Sequence, residues 1–346
     1  MSYIVCEVPS YDRRTRAQVV SLLAREDLTL DAHLDYTCAV LDDDGSVIAT
    51  GSCFASSLRC FAVAKEHQGE GLLNTVVSHL IEVQAARGNF HLFLYTKPKS
   101  ARFFADLGFY EIARLDGTLV FMENRRAGFE TFCKRLAAAR REGSAAAIVM
   151  NANPFTLGHR YLVEQAVREY DTVHLFVLSE DASLFPADVR FRLVQKGVKD
   201  LPNVVLHRTE DYLISAATFP SYFLHDSESA ICASARLDLA LFVKIAAALG
   251  ATARFVGEEP TSVVTGLYNE IMAQELPKAG IRCVVVPRLE KDGRIVSASS
   301  VRQAIHDGDM EAARAILPPS TWAYLTSPEA VNVLDAIRAS DEVIHY

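Results

Sequence analysis

Between Met150 and His159 the chain reads Met-Asn-Ala-Asn-Pro-Phe-Thr-Leu-Gly-His. Asn, Pro and Gly favour a tight turn there, and Thr156 and His159 stand three residues apart where a helix would begin. Free backbone N–H groups and the helix dipole make such a start a seat for phosphate, and a hydroxyl and an imidazole on one turn can both face it. An N–H-donating or cationic imidazole can then stabilise charge developing on a transferring phosphoryl group. The plain alternative is a threonine cap with an incidental histidine. Far downstream, Val296-Ser297-Ala298-Ser299-Ser300-Val301-Arg302 sets serines at a second helix start with an arginine in its first turn, again a donor-rich nest for an anion.

The elements around these clusters decide whether they can meet. From Ala145 onward short apolar runs (145–150, 172–178, 204–207, 254–257 and 282–286) alternate with helical periodicity at 158–169, 188–199 and 230–249. This rhythm predicts an α/β domain with a doubly wound parallel sheet, and small helices follow from Ser299. The first cluster then lies at the carboxyl end of the first strand, where open α/β sheets bind ligands. Residues 36–64 read as short strands with a turn at Asp42-Asp43-Asp44-Gly45. They are followed by a helix over 72–86, a strand over 91–95, a short helix over 101–107 and a strand pair within 109–121. That order predicts an α+β domain over 1–128. A helix from Gly128 to Glu142, closed by Glu142-Gly143-Ser144, predicts a helical linker over 129–144, with the second domain spanning 145–346.

The chain has 346 residues with 35 Lys plus Arg and 43 Asp plus Glu, a net charge of −8. That balance argues against nucleic acid or a membrane surface as partner, without excluding a local phosphate site. Neither a secretory leader nor an apolar run of membrane-spanning length is read, and seven scattered cysteines without a C-x-x-C pair fit reduced thiols. Together these point to a cytoplasmic protein.

The two clusters resemble the T/HxGH and ISSTxxR motifs of the nucleotidyltransferase superfamily, so the second domain is read as nucleotidyltransferase-like, with a Rossmann-like sheet. Met150 and Ala152 depart from the usual G-x-F opening, and Ala298-Ser299 from the usual Ser-Thr. The citrate lyase ligase family shares those departures, and the segments 179–186, 214–223 and 255–260 also resemble it. The resemblance implies a ligase that acetylates the thiol of the dephospho-CoA-derived arm on the citrate lyase acyl carrier (gamma) subunit. Acetate and ATP would be the substrates, with Mg2+ accompanying ATP; acetyl-AMP would be the intermediate, and AMP and diphosphate the products. No protein-held metal is implied. The catalytic residues by resemblance are His159, Thr156 and Arg302, with nucleotide contacts from Asn151, Asn153, Gly158, Gly257, Glu258, Ser297, Ser299 and Arg190. Arg190 also has a simpler reading as half of a structural ion pair.

In the first domain, Gln68-Gly69-Glu70-Gly71 and Ala101–Phe109 resemble the CoA loop and a later segment of the GNAT acetyltransferases, with Leu73 where a small residue is usual. By that resemblance Gln68, Gly69 and Gly71 would bind a pantetheine arm between two splayed strands. A ligase for the malonate decarboxylase carrier, and a non-catalytic nucleotide- and acyl-CoA-binding regulator, are the other readings.

Overall fold

The computed structural model describes the chain except residues 1, 2, 33, 182, 214–218, 221, 223–226, 260–262 and 341–346. Most of the family-like segment 214–223, part of 255–260 and Ala182 of 179–186 therefore lie outside the described residues. The chain forms two compact units, Met1–Thr131 with Thr218–Leu237, and Phe132–Ala217 with Asp238–Tyr346.

In the first unit the chain runs through β1 (Val5–Glu7), α1 (Arg13–Arg25), β2 (Tyr36–Leu41), β3 (Val47–Phe54), β4 (Ser57–Val63), α2 (Leu72–Ala86), β5 (Phe93–Thr96), α3 (Ala101–Asp106), β6 (Tyr110–Leu115) and β7 (Leu119–Glu123). The strands make one seven-stranded mixed sheet in the order β1-β2-β3-β4-β5-β7-β6. This is the expected α+β architecture. The sequence reading left out α1, whose Val19, Leu22 and Leu23 at i, i+3 and i+4 are buried and whose start is capped by Asp12, accepting from Thr15 N. β4 and β5 run parallel and pair at only two rungs, Ser57 with Phe93 and Leu58 with Leu94. Cys60, at φ 55°, bulges out of the β4 ladder just beyond them.

Beyond the last rung the chain returns from far downstream. The Tyr222 hydroxyl donates to the Tyr95 carbonyl of β5 at 2.6 Å, and Thr29 N donates to the Tyr222 carbonyl at 2.7 Å. The Phe219 ring meets Tyr95 edge-on at 5.5 Å. Burial, with the Cys60 thiol next, pushes the Tyr222 phenol well above its ordinary range. The Gln68–Gly71 loop is exposed, with Gly69 and Gly71 at φ 93° and 80°, conformations that favour glycine.

The helix α4 (Gly128–Ala137) ends five residues short of the expected Glu142. Tertiary hydrogen bonds override helix propensity there: Arg141 donates to the Pro202 carbonyl at 3.0 Å, and Ser144 N and Oγ donate to Asp171 at 2.8 and 2.7 Å.

The second unit continues through β8 (Ala145–Met150), α5 (Leu157–Glu169), β9 (Thr172–Val177), α6 (Ala187–Gly197) and β10 (Val204–Arg208). After α7 (Ser227–Leu249) come β11 (Ala251–Gly257), α8 (Val263–Glu275), β12 (Arg282–Val286), a short hairpin of β13 (Glu290–Lys291) and β14 (Arg294–Ile295), α9 (Ala298–His306), α10 (Met310–Ala315), α11 (Pro319–Leu325) and α12 (Val331–Ala339). All pairs in its five-stranded sheet are parallel, in the order β10-β9-β8-β11-β12. This is the doubly wound sheet read from the sequence. Ile148, Phe155, Leu175 and Phe255 anchor a core on one face, closed by Val301 and Ile305 of α9. Chain order reverses between β8 and β11, so the crevice at their carboxyl ends is the topological switch point. The helix α8 and the β13–β14 hairpin were not read from the sequence. Among the described residues no helix is long and apolar enough to cross a membrane.

Candidate active site

A cavity of about 370 Å³ opens at that switch point. Its wall takes Asn151 from the end of β8, Gly257 from the end of β11, Thr156, Gly158 and His159 from the start of α5, and Ser297 from the start of α9. The two clusters far apart in sequence therefore meet at one cavity.

Gly158 makes the meeting possible. A Cβ on it would lie 2.5 Å from the Val296 carbonyl oxygen, so only glycine lets the start of α5 touch the strand leading into α9. Thr156 caps α5: His159 N donates to Thr156 Oγ1 at 3.3 Å, and Thr156 N donates back to His159 Nδ1 at 3.1 Å. This is a capping box with histidine in the place usually held by Glu or Gln. Thr156 Oγ1 also lies 2.9 Å from Nδ1. An Nδ1 that accepts a backbone N–H carries no proton, so the hydrogen of the neutral ring sits on Nε2. Burial first, then the Arg288 and Arg302 cations, push this imidazole down to about 4. At neutral pH His159 is an uncharged N–H donor on the cavity wall.

Ser297 caps α9, accepting from Ser300 N at 3.0 Å. Arg302 does not line the cavity. It is 2% exposed, donates from Nη1 to the Asn153 carbonyl at 2.6 Å, and burial pushes its guanidinium down to about 10. Ser299 lies beside it, 3.5 Å from Nη2. Asn153 is buried and accepts from Phe185 N through Oδ1 at 3.0 Å. Neither Ser299, Asn153 nor Glu258 is part of the wall. Among the described residues Arg190 makes no ion pair: fully buried, it donates to the backbone carbonyls of Phe185, Asn151, Leu178 and Glu180 and to Asn151 Oδ1. It holds the turn that carries Asn151, and Arg190 itself is not among the residues of the wall.

The sequence reading missed Arg254, Asn269, Glu259 and Arg288, all on the wall, where Tyr268, read from the sequence as core or pocket wall, also stands. Arg254 meets Asp238 at 3.0 Å, and Tyr268 donates to the same carboxylate. Asn269 Nδ2 donates to the Gly257 carbonyl at 3.1 Å. Arg288 follows the end of β12, and the strand-end rule that found the Asn151–His159 cluster would have found it too.

The geometry stands beside clear relatives. The family description "citrate lyase ligase C-terminal domain" matches residues 145–325. The citrate (pro-3S)-lyase ligase of Klebsiella pneumoniae is 39% identical over 320 residues, covering 91% of this chain and 93% of that protein. The chain belongs to the citrate lyase ligase family. The ligase of the same name from Escherichia coli K12 is 36% identical, covering 93% of each chain. A GNAT-family acetyltransferase of Staphylococcus aureus Mu50 is similar to part of the chain, at 14% identity and TM-score 0.30, covering 35% of this chain and 98% of its own. As a member of the citrate lyase ligase family the chain is an enzyme of the acid–thiol ligase class.

Proposed function

We propose that the second unit joins acetate to ATP as acetyl-AMP, and that the acetyl group then passes to the thiol of the citrate lyase acyl carrier (gamma) subunit. The carrying observation is His159, a wall residue whose Nδ1 accepts from Thr156 N and whose burial favours the neutral ring, so that its hydrogen sits on Nε2. An acetate oxygen attacks the α-phosphorus, the bond to the bridging oxygen breaks, and pyrophosphate leaves. Charge grows on the α-phosphate oxygens and the leaving group, where a fixed donor lowers the barrier without reorganising. The N–H groups at the start of α5 and the Ser297 cap add donors at the same wall. Arg302 serves this site as a positioning residue, through the Asn153 carbonyl.

Among the described residues no cluster of three or more His, Cys, Asp or Glu side chains could hold a metal ion. Magnesium therefore fits this site as part of the nucleotide substrate, carried on its phosphates. For the first unit, an exposed Gln68–Gly71 loop supports contact with the carrier's arm, whereas Tyr222 already occupies the Tyr95 carbonyl beyond the β4–β5 rungs. The test is acetate-dependent exchange of pyrophosphate into ATP. His159→Ala should lower it about 10²–10³-fold in a folded protein, and near-normal exchange would refute the assignment.

A further inference from the structure

We propose that Arg288, and not Arg302, receives the pyrophosphate half of ATP in this cavity, an inference that rests on the adenylation reading above. Three arginines stand at or behind the wall. Arg254 is 4% exposed, is neutralised by Asp238 at 3.0 Å and lies over the Phe242 ring at 4.4 Å, so its charge is answered inside the protein. Arg302 is buried behind the turn and gives a hydrogen to the Asn153 carbonyl.

Arg288 is also anchored by a carboxylate and a carbonyl, but it differs from both in being open to the cavity. It shares the wall with Thr156, Gly158, His159 and Ser297, and its side chain is 27% exposed. Its Nε donates to the Glu258 carbonyl and its Nη2 meets the Glu259 carboxylate. These two anchors hold the guanidinium plane, and Nη1 has no partner among the described residues. A fixed plane with spare N–H groups suits a phosphate oxygen, because little side-chain freedom is lost on binding. Glu259, the carboxylate among the described wall residues, is taken up on the Nη2 side, which leaves the Nη1 side for a highly charged pyrophosphate. The starts of α5 and α9 open onto the same wall and favour the same anion.

The experiment compares the full-length wild type with Arg288→Gln, Arg288→Lys and Arg302→Lys, measuring affinity for inorganic pyrophosphate, ATP and AMP by calorimetry. Arg288→Gln should weaken pyrophosphate and ATP about 10- to 100-fold and leave AMP unchanged, the loss of one or two charge-assisted hydrogen bonds. Arg288→Lys should recover part of that loss. Arg302→Lys, acting through the turn, should change AMP and pyrophosphate alike. Unchanged AMP affinity shows that the site is folded. As a second readout, the imidazole of His159 should titrate higher in Arg288→Gln, because a neighbouring cation that holds it down is gone. Pyrophosphate affinity unchanged in Arg288→Gln, or a selective pyrophosphate loss that appears in Arg302→Lys instead, would overturn the proposal. A wild type that binds AMP and pyrophosphate but shows no acetate-dependent exchange would overturn the adenylation reading and leave Arg288 tested on its own.

Discussion

A histidine held near 4 works differently from one poised near neutrality. With its midpoint pushed down to about 4, His159 should keep one charge state between pH 6 and 8, so its contribution to exchange should be flat there. Below that range the linkage runs one way. A group whose folded midpoint lies below its unfolded one is protonated first in the unfolded chain, so stability present above about pH 6.5 is lost as the pH falls toward 4. His174 and His207 act in the same direction: their Nδ1 and Nε2 lie 3.0 Å apart, and burial first of all pushes both down to about 4. Each unit of such a shift corresponds to about 1.4 kcal/mol. The melting temperature should therefore fall steadily from pH 7 to pH 4. An NMR titration should put the midpoint of His159 near 4, and a midpoint near 6.5 would remove the neutral-donor mechanism. The neutral donor was half legible. The three-residue spacing of Thr156 and His159 pointed to an anion, but the ring's charge depends on burial and on Arg288, which no local motif encodes.

At the scale of elements, the site is the contact of two helix starts across one glycine. The residue types between 150 and 159 already indicate the turn, the cap and the strand-end position, because all three are written within ten consecutive residues. The parallel order of the sheet was legible for a similar reason: apolar strands and amphipathic helices alternate in the open. What the chain does not write locally is the approach of Val296 to Gly158, and with it the burial of Arg302. A serine-capped helix with an arginine in its first turn looks the same whether that arginine faces a cavity or a backbone carbonyl. Gly158→Ala tests the contact. Its methyl would press on a backbone oxygen at 2.5 Å, so either α5 or the strand leading into α9 must move. Overpacking of this kind costs about 1–3 kcal/mol in stability. Exchange should fall further than stability alone accounts for, since the move separates Ser297 from His159. Full exchange in a stable Gly158→Ala protein would mean that the two starts need not touch.

Across the whole chain, the change of rhythm puts a break near residue 144, whereas the first unit runs to Thr131 and takes up Thr218–Leu237 from far downstream, a return that the sequence does not announce. Phe219, Pro220 and Tyr222 lie in a stretch that resembles the family, where the two aromatics read as core or pocket wall, and nothing near them in sequence names Tyr95 or Thr29 as partners. Such contacts follow from the chain's path, not from any local period. They also change what the first unit needs in order to fold: residues 1–131 alone lack the Tyr222 phenol that holds the Tyr95 carbonyl and the Tyr222 carbonyl that takes the Thr29 N–H. Tyr222→Ala in the full chain isolates this effect. Removing a buried aromatic ring costs about 3–5 kcal/mol, and Tyr222→Phe, which deletes only the hydroxyl bond, about 1 kcal/mol. Both losses should appear as faster hydrogen exchange at the amides of Thr29 and of β4 and β5. Acetate-dependent exchange should persist in both variants, because every wall residue of the cavity named above lies in the second unit. If Tyr222→Ala abolishes that exchange while Tyr222→Phe leaves both protection and exchange intact, the segment serves the adenylation site and not the first unit, and the assignment of Phe219 and Tyr222 to the first unit's core fails.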